Sequence, residues 1–479
     1  MAHHREFYID GAWVEPLDAT PLDVIDPSDA TVAATISLGS SADVDRAVAA
    51  ARAAFASWST TTPDERAELL GAIDAAYERR MEDVAAAIST EMGAPIDMAR
   101  RDQAGAGRYH LRGFAKALGQ VSFDVPLRPD RPEHRIYLEP SGVAALITPW
   151  NWPMNQVALK VGAALAAGCT MVLKPSEIAP LSSLVFAEIL DEAGVPAGVF
   201  NLVNGDGAGV GSALSAHPDV DVVSFTGSTR AGIAVTQNAA PGVKRVSLEL
   251  GGKSPNLVFA DADVDVAVRQ GAAHCFDNTG QSCNAPTRML VERSAYDRAV
   301  EVAVEAAAAT AVDVAGKPGD HIGPLSSQAQ FDKVQGLIQT GIDEGAQLVA
   351  GGLGRPEGLE DGYFVRPTVF AGVTNDMAIA REEIFGPVLV LIPFDTEDEA
   401  VELANDTPYG LAAYLQTSDA DRARRVTRQL RAGMVQLNGS NRAAGSPFGG
   451  YKQSGVGREG GRWGIEEFLE VKSVSGLDP

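Results

Sequence analysis

From Val143 onward the chain repeats one rhythm: a short apolar run, a loop, then a helical stretch stopped by glycine. Val143–Ile147 precedes a loop from Pro149 to Pro153, and the spacing predicts a helix over 154–167 with Gly168 as its stop signal. A strand over 170–173 follows, and a loop through Lys174 and Glu177 leads to a helix over 181–193 closed by Gly194. Strands over 199–203, 222–225 and 246–250 continue the series, the last two separated by a helix over 228–239. Apolar strands alternating with helices predict a parallel sheet covered on both faces. In such sheets ligands bind beyond the carboxyl ends of the strands, where Asn151, Lys174 and Gly227 fall.

Elsewhere the pattern is helical or short and alternating. Val44, Ala47, Val48, Ala51, Phe55 and Trp58 recur at helical spacing, with Ser41 as the expected N-cap. A second helix is predicted over 64–92, ending near Gly93; both read as packing helices. Beyond Glu249 the pattern predicts a helix over 264–278, a strand over 289–291, a helix over 296–312 and, after a glycine-rich loop, a strand over 364–370. These form a second α/β unit. Residues 135–138 and 469–472 are short alternating segments whose strand edges would lie open in a monomer.

Length and composition narrow the class. A chain of 479 residues exceeds one comfortable core, so two or three domains are expected. The net charge of -24 argues against nucleic acid or an anionic membrane as partner. Three cysteines in so long a chain make no disulfide framework, which favours a reducing compartment. The stretch from Met1 to Glu6 lacks the apolar core of a signal peptide and no run matches a membrane span, so the cytoplasm is expected. The seven histidines show no HExxH or paired-cysteine spacing, and no metal site is expected.

The candidate chemistry centres on one thiol and one acid. Gly280-Gln281-Ser282-Cys283 places a cysteine on a polar loop, and Glu249 is an isolated acid in Leu248-Glu249-Leu250-Gly251-Gly252-Lys253. A thiolate can attack a carbonyl, and a carboxylate can activate water against the resulting ester. Cys275, on a predicted helix, and Cys169, between a helix and a strand, read as buried structural thiols. Phe225-Thr226-Gly227-Ser228-Thr229 offers glycine at a strand-to-helix turn, where backbone can approach a pyrophosphate. It is not the G-x-G-x-x-G fingerprint. The run from Gly205 to Gly211 misses that fingerprint by one position and reads equally as a flexible turn. On their own, Lys174 with Glu177 read as a surface pair at a helix start, and Asn151 between prolines as a turn residue.

Seven motifs in one order change that reading. They are Pro149-Trp150-Asn151-Trp152-Pro153, Leu173-Lys174-Pro175-Ser176-Glu177, Phe225 to Thr229, Leu248 to Pro255, Gly280 to Cys283, Glu382-Glu383-Ile384-Phe385-Gly386-Pro387 and Pro447-Phe448-Gly449-Gly450. Together they closely resemble the NAD(P)-dependent, non-acylating aldehyde dehydrogenases, nearly end to end. The resemblance implies an α/β fold with a parallel-sheet NAD-binding domain (1–119 and 139–250), an α/β catalytic thiol domain (251–440) and a small β oligomerisation element (120–138 and 464–479).

It also implies roles. Cys283 is the nucleophile, Glu249 the base for thioester hydrolysis, and Asn151 with the Cys283 backbone N–H holds the oxyanion. NAD is the implied cofactor. Lys174 and Glu177 reach its adenosine ribose, an acid there favouring NAD over NADP. Gly227 and Ser228 make the tighter phosphate contact, with Gly207 and Gly211 also facing the cofactor. Glu383 and Phe385 meet the nicotinamide ribose and ring, and Thr148, Pro149, Trp150 and Ser176 join them. Phe225, Thr226, Leu250 and Gly251 complete the cofactor set.

The substrate side is implied to include Trp152, Ser282 and Phe448, with Arg442 able to meet an anionic end. The segment from Ser440 to Gly445 is small and polar where many relatives carry bulky aromatics, which argues against compact substrates. Residues Glu91-Met92-Gly93-Ala94-Pro95 resemble a bacterial subgroup that includes oxidisers of long-chain ω-oxo acids. The expected substrate is therefore an extended aliphatic or ω-oxo-acid aldehyde, and the expected assembly a homodimer or homotetramer. A CoA-acylating relative typically lacks the glutamate base, a cysteine hydrolase needs a partnering histidine motif, and an enzyme-derived binding or structural protein usually loses a catalytic residue.

Overall fold

A computed structural model describes residues 3–477; Met1, Ala2, Asp478 and Pro479, which begin the predicted leaderless N-terminus and end the predicted oligomerisation element, lie outside the described residues. The predicted rhythm appears as an eight-stranded sheet. Its centre is five parallel strands, in spatial order Arg245–Glu249, Val222–Thr226, Val143–Ile147, Thr170–Lys174 and Phe200–Leu202. Alternate residues face opposite sides, so Ala144, Leu146, Met171 and Leu173 join one buried cluster, while Val143, Ala145, Ile147 and Val172 join the other. The chain winds outward in both directions from Val143–Ile147, which leaves a crevice between it and Val222–Thr226. Two additions were not foreseen: the antiparallel hairpin Phe7–Ile9 with Ala12–Val14 covers one edge, and Gly455–Val456 covers the other.

The second sheet has seven strands, in the order Gln347–Ala350, Thr368–Ala371, Val388–Phe394, Arg288–Glu292, Pro255–Val258, Ala412–Gln416 and Met434–Leu437. All but the first pairing are parallel.

Several expected boundaries move for physical reasons. Ser40, not Ser41, caps the helix Ser41–Trp58: the Asp43 carboxylate accepts the Ser40 N–H and hydroxyl, each at 2.9 Å. The helix expected to reach Asn278 stops at Phe276, because Asn278 and Thr279 turn left-handed with φ of 51° and 57°. The helix expected to reach Val312 ends at Ala309. The strand expected over 364–370 is the shorter Thr368–Ala371; Pro367 cannot donate to a ladder, although Phe364 and Val365 are buried as a strand would be.

Residues Arg131–Pro140 pair on one side with Leu469–Ser475 and on the other with Asp124–Arg128. The two segments whose strand edges are expected to lie open therefore pair with one another, Leu138 opposite Val471, and only Leu469–Ser475 of the two keeps a free edge. The open edges are Leu469–Ser475 and Asp124–Arg128. A further hairpin, Thr20–Asp26 with Thr31–Leu38, was not foreseen.

Candidate active site

Three loops meet over the crevice between the sheets. Strand Val143–Ile147 delivers Pro149, Trp150 and Asn151, strand Val222–Thr226 delivers Gly227 and Ser228, and strand Arg245–Glu249 ends on Glu249. With Thr226, Leu250, Gly251, Cys283, Glu383 and Phe385 from both halves, these residues line one cleft of about 200 Å³. Gln156, Gln330 and Lys333 line it too and had no motif to mark them.

Local chemistry builds the cleft. Ser228 caps the helix Thr229–Ala239, accepting the Ala231 N–H at 3.3 Å, so the first turn of that helix faces the crevice. Phe385 holds φ at 61°, unusual for a bulky residue, and the Gln330 amide pins its carbonyl at 2.8 Å. The Phe385 ring then packs edge-on against Trp150 with centroids 5.4 Å apart. Glu383 accepts the Gly252 N–H at 2.9 Å, and a side chain at Gly251 would put its Cβ 2.5 Å from that carboxylate.

Other predicted cofactor residues sit at neighbouring strand ends rather than in this cleft. Lys174 and Glu177 form an ion pair at 2.8 Å after strand Thr170–Lys174. Ser176 is buried beside them, its hydroxyl accepting the Ile178 N–H at 3.3 Å. The Thr148 N–H donates to the Lys174 carbonyl at 3.1 Å, while its buried hydroxyl has no protein partner. Gly207–Gly211 winds as a π turn after strand Phe200–Leu202. Phe225 is buried, its ring beneath Gly227 where a Cβ would collide.

Cys283 is half-buried, whereas Cys169 and Cys275 are fully enclosed. Burial pushes the Cys169 thiol up to about 11 and the Cys275 thiol up to about 12. The Cys283 thiol is also raised, first by burial and then by the Glu383 and Glu249 carboxylates, its own and the Asn284 backbone N–H opposing. Asn151 is buried and donates its side-chain amide to the Gln281 carbonyl at 2.9 Å. Glu249 is buried with neither carboxylate oxygen bonded to protein. Burial, then the nearby Glu459 charge, raise its pKa well above the usual carboxylate range, and Lys160 and Arg458 pull it back. Gly449 makes this position possible: a Cβ there would lie 2.6 Å from Glu249 Oε1.

Lys160 and Glu459 were missed in the sequence. Lys160 Nζ donates to Glu459 Oε1 at 2.5 Å and to Ser224 Oγ at 3.0 Å, all within the protein interior. One signal was visible: a lysine in the apolar stretch Val157–Ala167 of the helix Pro153–Ala167 is costly unless paired.

On the far side of Cys283, the Trp152 indole donates to the Ser282 hydroxyl at 2.9 Å. Phe448 packs with Leu411, Ala412, Tyr414 and Met434, and Cys283 lies against that cluster. The Arg442 guanidinium stacks over Phe448, 4.8 Å from the ring centroid. Its loop residue is exposed, yet the charged head lies among enough protein for desolvation to lower its pKa. Among the described residues no His, Cys, Asp and Glu cluster could hold a metal, and no helix is long and apolar enough to cross a membrane.

This arrangement can be compared with known proteins. The model of the aldehyde dehydrogenase family matches residues 13–474. The chain belongs to the aldehyde dehydrogenase family. It is 53% identical over the full length of both chains to a 3-succinoylsemialdehyde-pyridine dehydrogenase of a Pseudomonas species. The crystal structure of an aldehyde dehydrogenase from Bartonella henselae is 57% identical and superposes with a TM-score of 0.98, covering 99% of this chain and all of that one. Aldehyde dehydrogenase C of Pseudomonas syringae, solved as a cysteine-to-alanine variant with NAD+ and octanal, is 51% identical with a TM-score of 0.98, covering 100% of this chain and 98% of that one. These matches show the aldehyde dehydrogenase fold for this family member from one end to the other.

Proposed function

We propose that this aldehyde dehydrogenase oxidises extended aldehydes to carboxylic acids with NAD, through a thioester on Cys283. The observation that carries this reading is the single cleft lined by Cys283, Asn151 and Glu249. The Cys283 sulfur attacks the aldehyde carbon, and the oxygen gains negative charge. That charge meets the Asn151 side-chain amide and the Cys283 backbone N–H, fixed donors of the kind that stabilise such oxyanions. Bound NAD+ supplies the hydride acceptor. Loss of hydride from the carbon leaves a thioester on the sulfur. Glu249, with both oxygens free of protein partners, takes a proton from water; the hydroxide adds to the thioester carbon, the C–S bond breaks with its electron pair on the Cys283 sulfur, and the acid is released.

The residues present fit that cofactor. Ser228 and the first turn of its helix suit a pyrophosphate, and Glu383 with Phe385 suits the nicotinamide end. Thr148 has a free buried hydroxyl beside Lys174 and Ser176, at the strand end where Glu177 can accept a ribose 2′-hydroxyl. Gly207 and Gly211 lie at the next strand end. Residues 1–119 with 139–250 act as the NAD-binding domain, 251–440 as the thiol domain and 120–138 with 464–479 as the assembly element. The enzyme works in the cytoplasm as a homodimer or homotetramer.

The substrate channel passes Trp152, Ser282 and Phe448 to the mouth at Arg442. The octanal bound to one relative and the pyridyl semialdehyde named for another support an extended substrate. Each further buried CH₂ contributes about 0.8 kcal/mol. Arg442, stacked on Phe448, would receive a terminal carboxylate, and Arg442→Ala should then lower kcat/KM only for the charged member of a matched aldehyde pair. The reading as a whole is tested by NADH formation from NAD+ and octanal, with and without CoA. Turnover independent of CoA and abolished in Cys283→Ala supports it; a requirement for CoA overturns it.

A further inference from the structure

Gln103 lies on the π turn Ala99–Ala104, wedged between the short helix Ile96–Met98 and the helix Gly105–Leu118. Such turns are rare and recur where a side chain must be placed off the helical register. The Gln103 side chain is fully buried. Its amide nitrogen donates to the Asn151 backbone carbonyl at 3.1 Å and to Asn278 Oδ1 at 3.3 Å. These partners are acceptors, as is Met92 Sδ at 3.6 Å, which settles the orientation of the amide.

Asn278 completes the tie. Its side-chain nitrogen donates to the same Asn151 carbonyl at 2.9 Å and to the Gln281 carbonyl at 3.3 Å. That Gln281 carbonyl also accepts the Asn151 side-chain amide at 2.9 Å. Gln281 is itself held from both ends: its Nε2 donates to the Asn278 carbonyl at 3.1 Å, and its Oε1 accepts the Ser326 N–H at 2.9 Å. Both carbonyls thus have two donors each, and the loop bearing Asn151 is lashed to the loop bearing Cys283. One hydrogen of the Asn151 amide is committed to Gln281, and the other remains for substrate.

We propose that Gln103 and Asn278 are positioning residues that aim the Asn151 amide at the oxygen of the Cys283 adduct. This rests on the reading of Cys283 as nucleophile and Asn151 as oxyanion donor. The Gln103 and Asn278 amide nitrogens each bridge two acceptors of the loops they join, although Gln103 Oε1 itself has no protein partner, and loss of either donor leaves buried acceptors stranded. The packing of a helix against two loops would not by itself require three amide side chains to converge on two carbonyls.

Two reagents separate aim from general damage, and neither needs cofactor. With p-nitrophenyl acetate the sulfur bonds to the carbonyl carbon, charge develops on the carbonyl oxygen, and p-nitrophenolate leaves with the electron pair of the broken C–O bond. With iodoacetamide the same sulfur bonds to the methylene carbon and iodide leaves, with no oxyanion formed. In Gln103→Leu and in Asn278→Gly, acylation should slow at least about tenfold while alkylation stays within about twofold of wild type. Asn278→Gly preserves the left-handed backbone there, φ being 51°, and carries the test if Gln103→Leu fails to fold. Parallel loss of both rates, or acylation at the wild-type rate, overturns the proposal. If Cys283→Ala acylates as fast as wild type, it is the underlying assignment of the nucleophile that fails.

Discussion

At the scale of single residues, the proposed chemistry depends on how Glu249 is held. A base must be ionised to take a proton from water, and burial and the Glu459 charge both oppose ionisation. Thioester hydrolysis should therefore rise with pH through the raised pKa of Glu249. Glu459→Gln removes the like charge and should move the rising limb to lower pH, while Lys160→Met removes the opposing cation and should move it to higher pH. Stopped-flow measurement of the hydrolysis step across pH reads both shifts, and shifts of the opposite sign would contradict the account. Glu177 is the second carboxylate on which the proposed function rests. An acid at a ribose 2′-hydroxyl repels a 2′-phosphate, so NAD should exceed NADP in kcat/KM by at least about tenfold. Glu177→Gln should narrow that gap; equal use of both cofactors by wild type would remove the assignment.

At the scale of elements, the turn between Phe276 and Cys283 decides where the thiol lies. Asn278, Thr279 and Gly280 are all left-handed, and a Cβ on Gly280 would overlap the Gly386 carbonyl. Gly280→Ala should cost about 2–4 kcal/mol, read as a lower urea midpoint at unchanged slope. The sequence announced this turn only in part. Gly280 marked a break, but nothing in Asn278-Thr279 signalled left-handed backbone, so the predicted helix ran on too far. Strands such as Val143–Ile147 and Thr170–Lys174 were legible because they are buried on both faces and their glycine-stopped helices punctuate them. The hairpin Thr20–Asp26 with Thr31–Leu38 was not, because much of it is exposed and pairs only with itself. Burial without pairing misled at Phe364 and Val365. Cys283, Glu249 and Asn151 stood out through ordered motifs, whereas Gln103, Gln330 and Glu459 gain meaning only from partners far along the chain, and Lys160 showed only as a lysine in an apolar stretch.

At the scale of the whole molecule, residues from both large sheets line one cleft, and a small three-stranded sheet has two open edges. One of these edge strands, Leu469–Ser475, carries Val471 at 68% exposure. An open edge with an exposed valine invites a second copy, so sedimentation should give two or four times the chain mass at micromolar concentration, and Val471→Glu should weaken the association. A stable, active monomer would contradict this. The proposed reaction turns on a thioester formed on Cys283 and removed through Glu249. The most direct measurement mixes Glu249→Gln enzyme rapidly with NAD+ and octanal, records NADH and maps the trapped acyl group by peptide mass. The account predicts a burst of at most one NADH per site, slow turnover afterwards and octanoyl on the peptide carrying Cys283. Undiminished turnover, or an acyl group on any other residue, would contradict it.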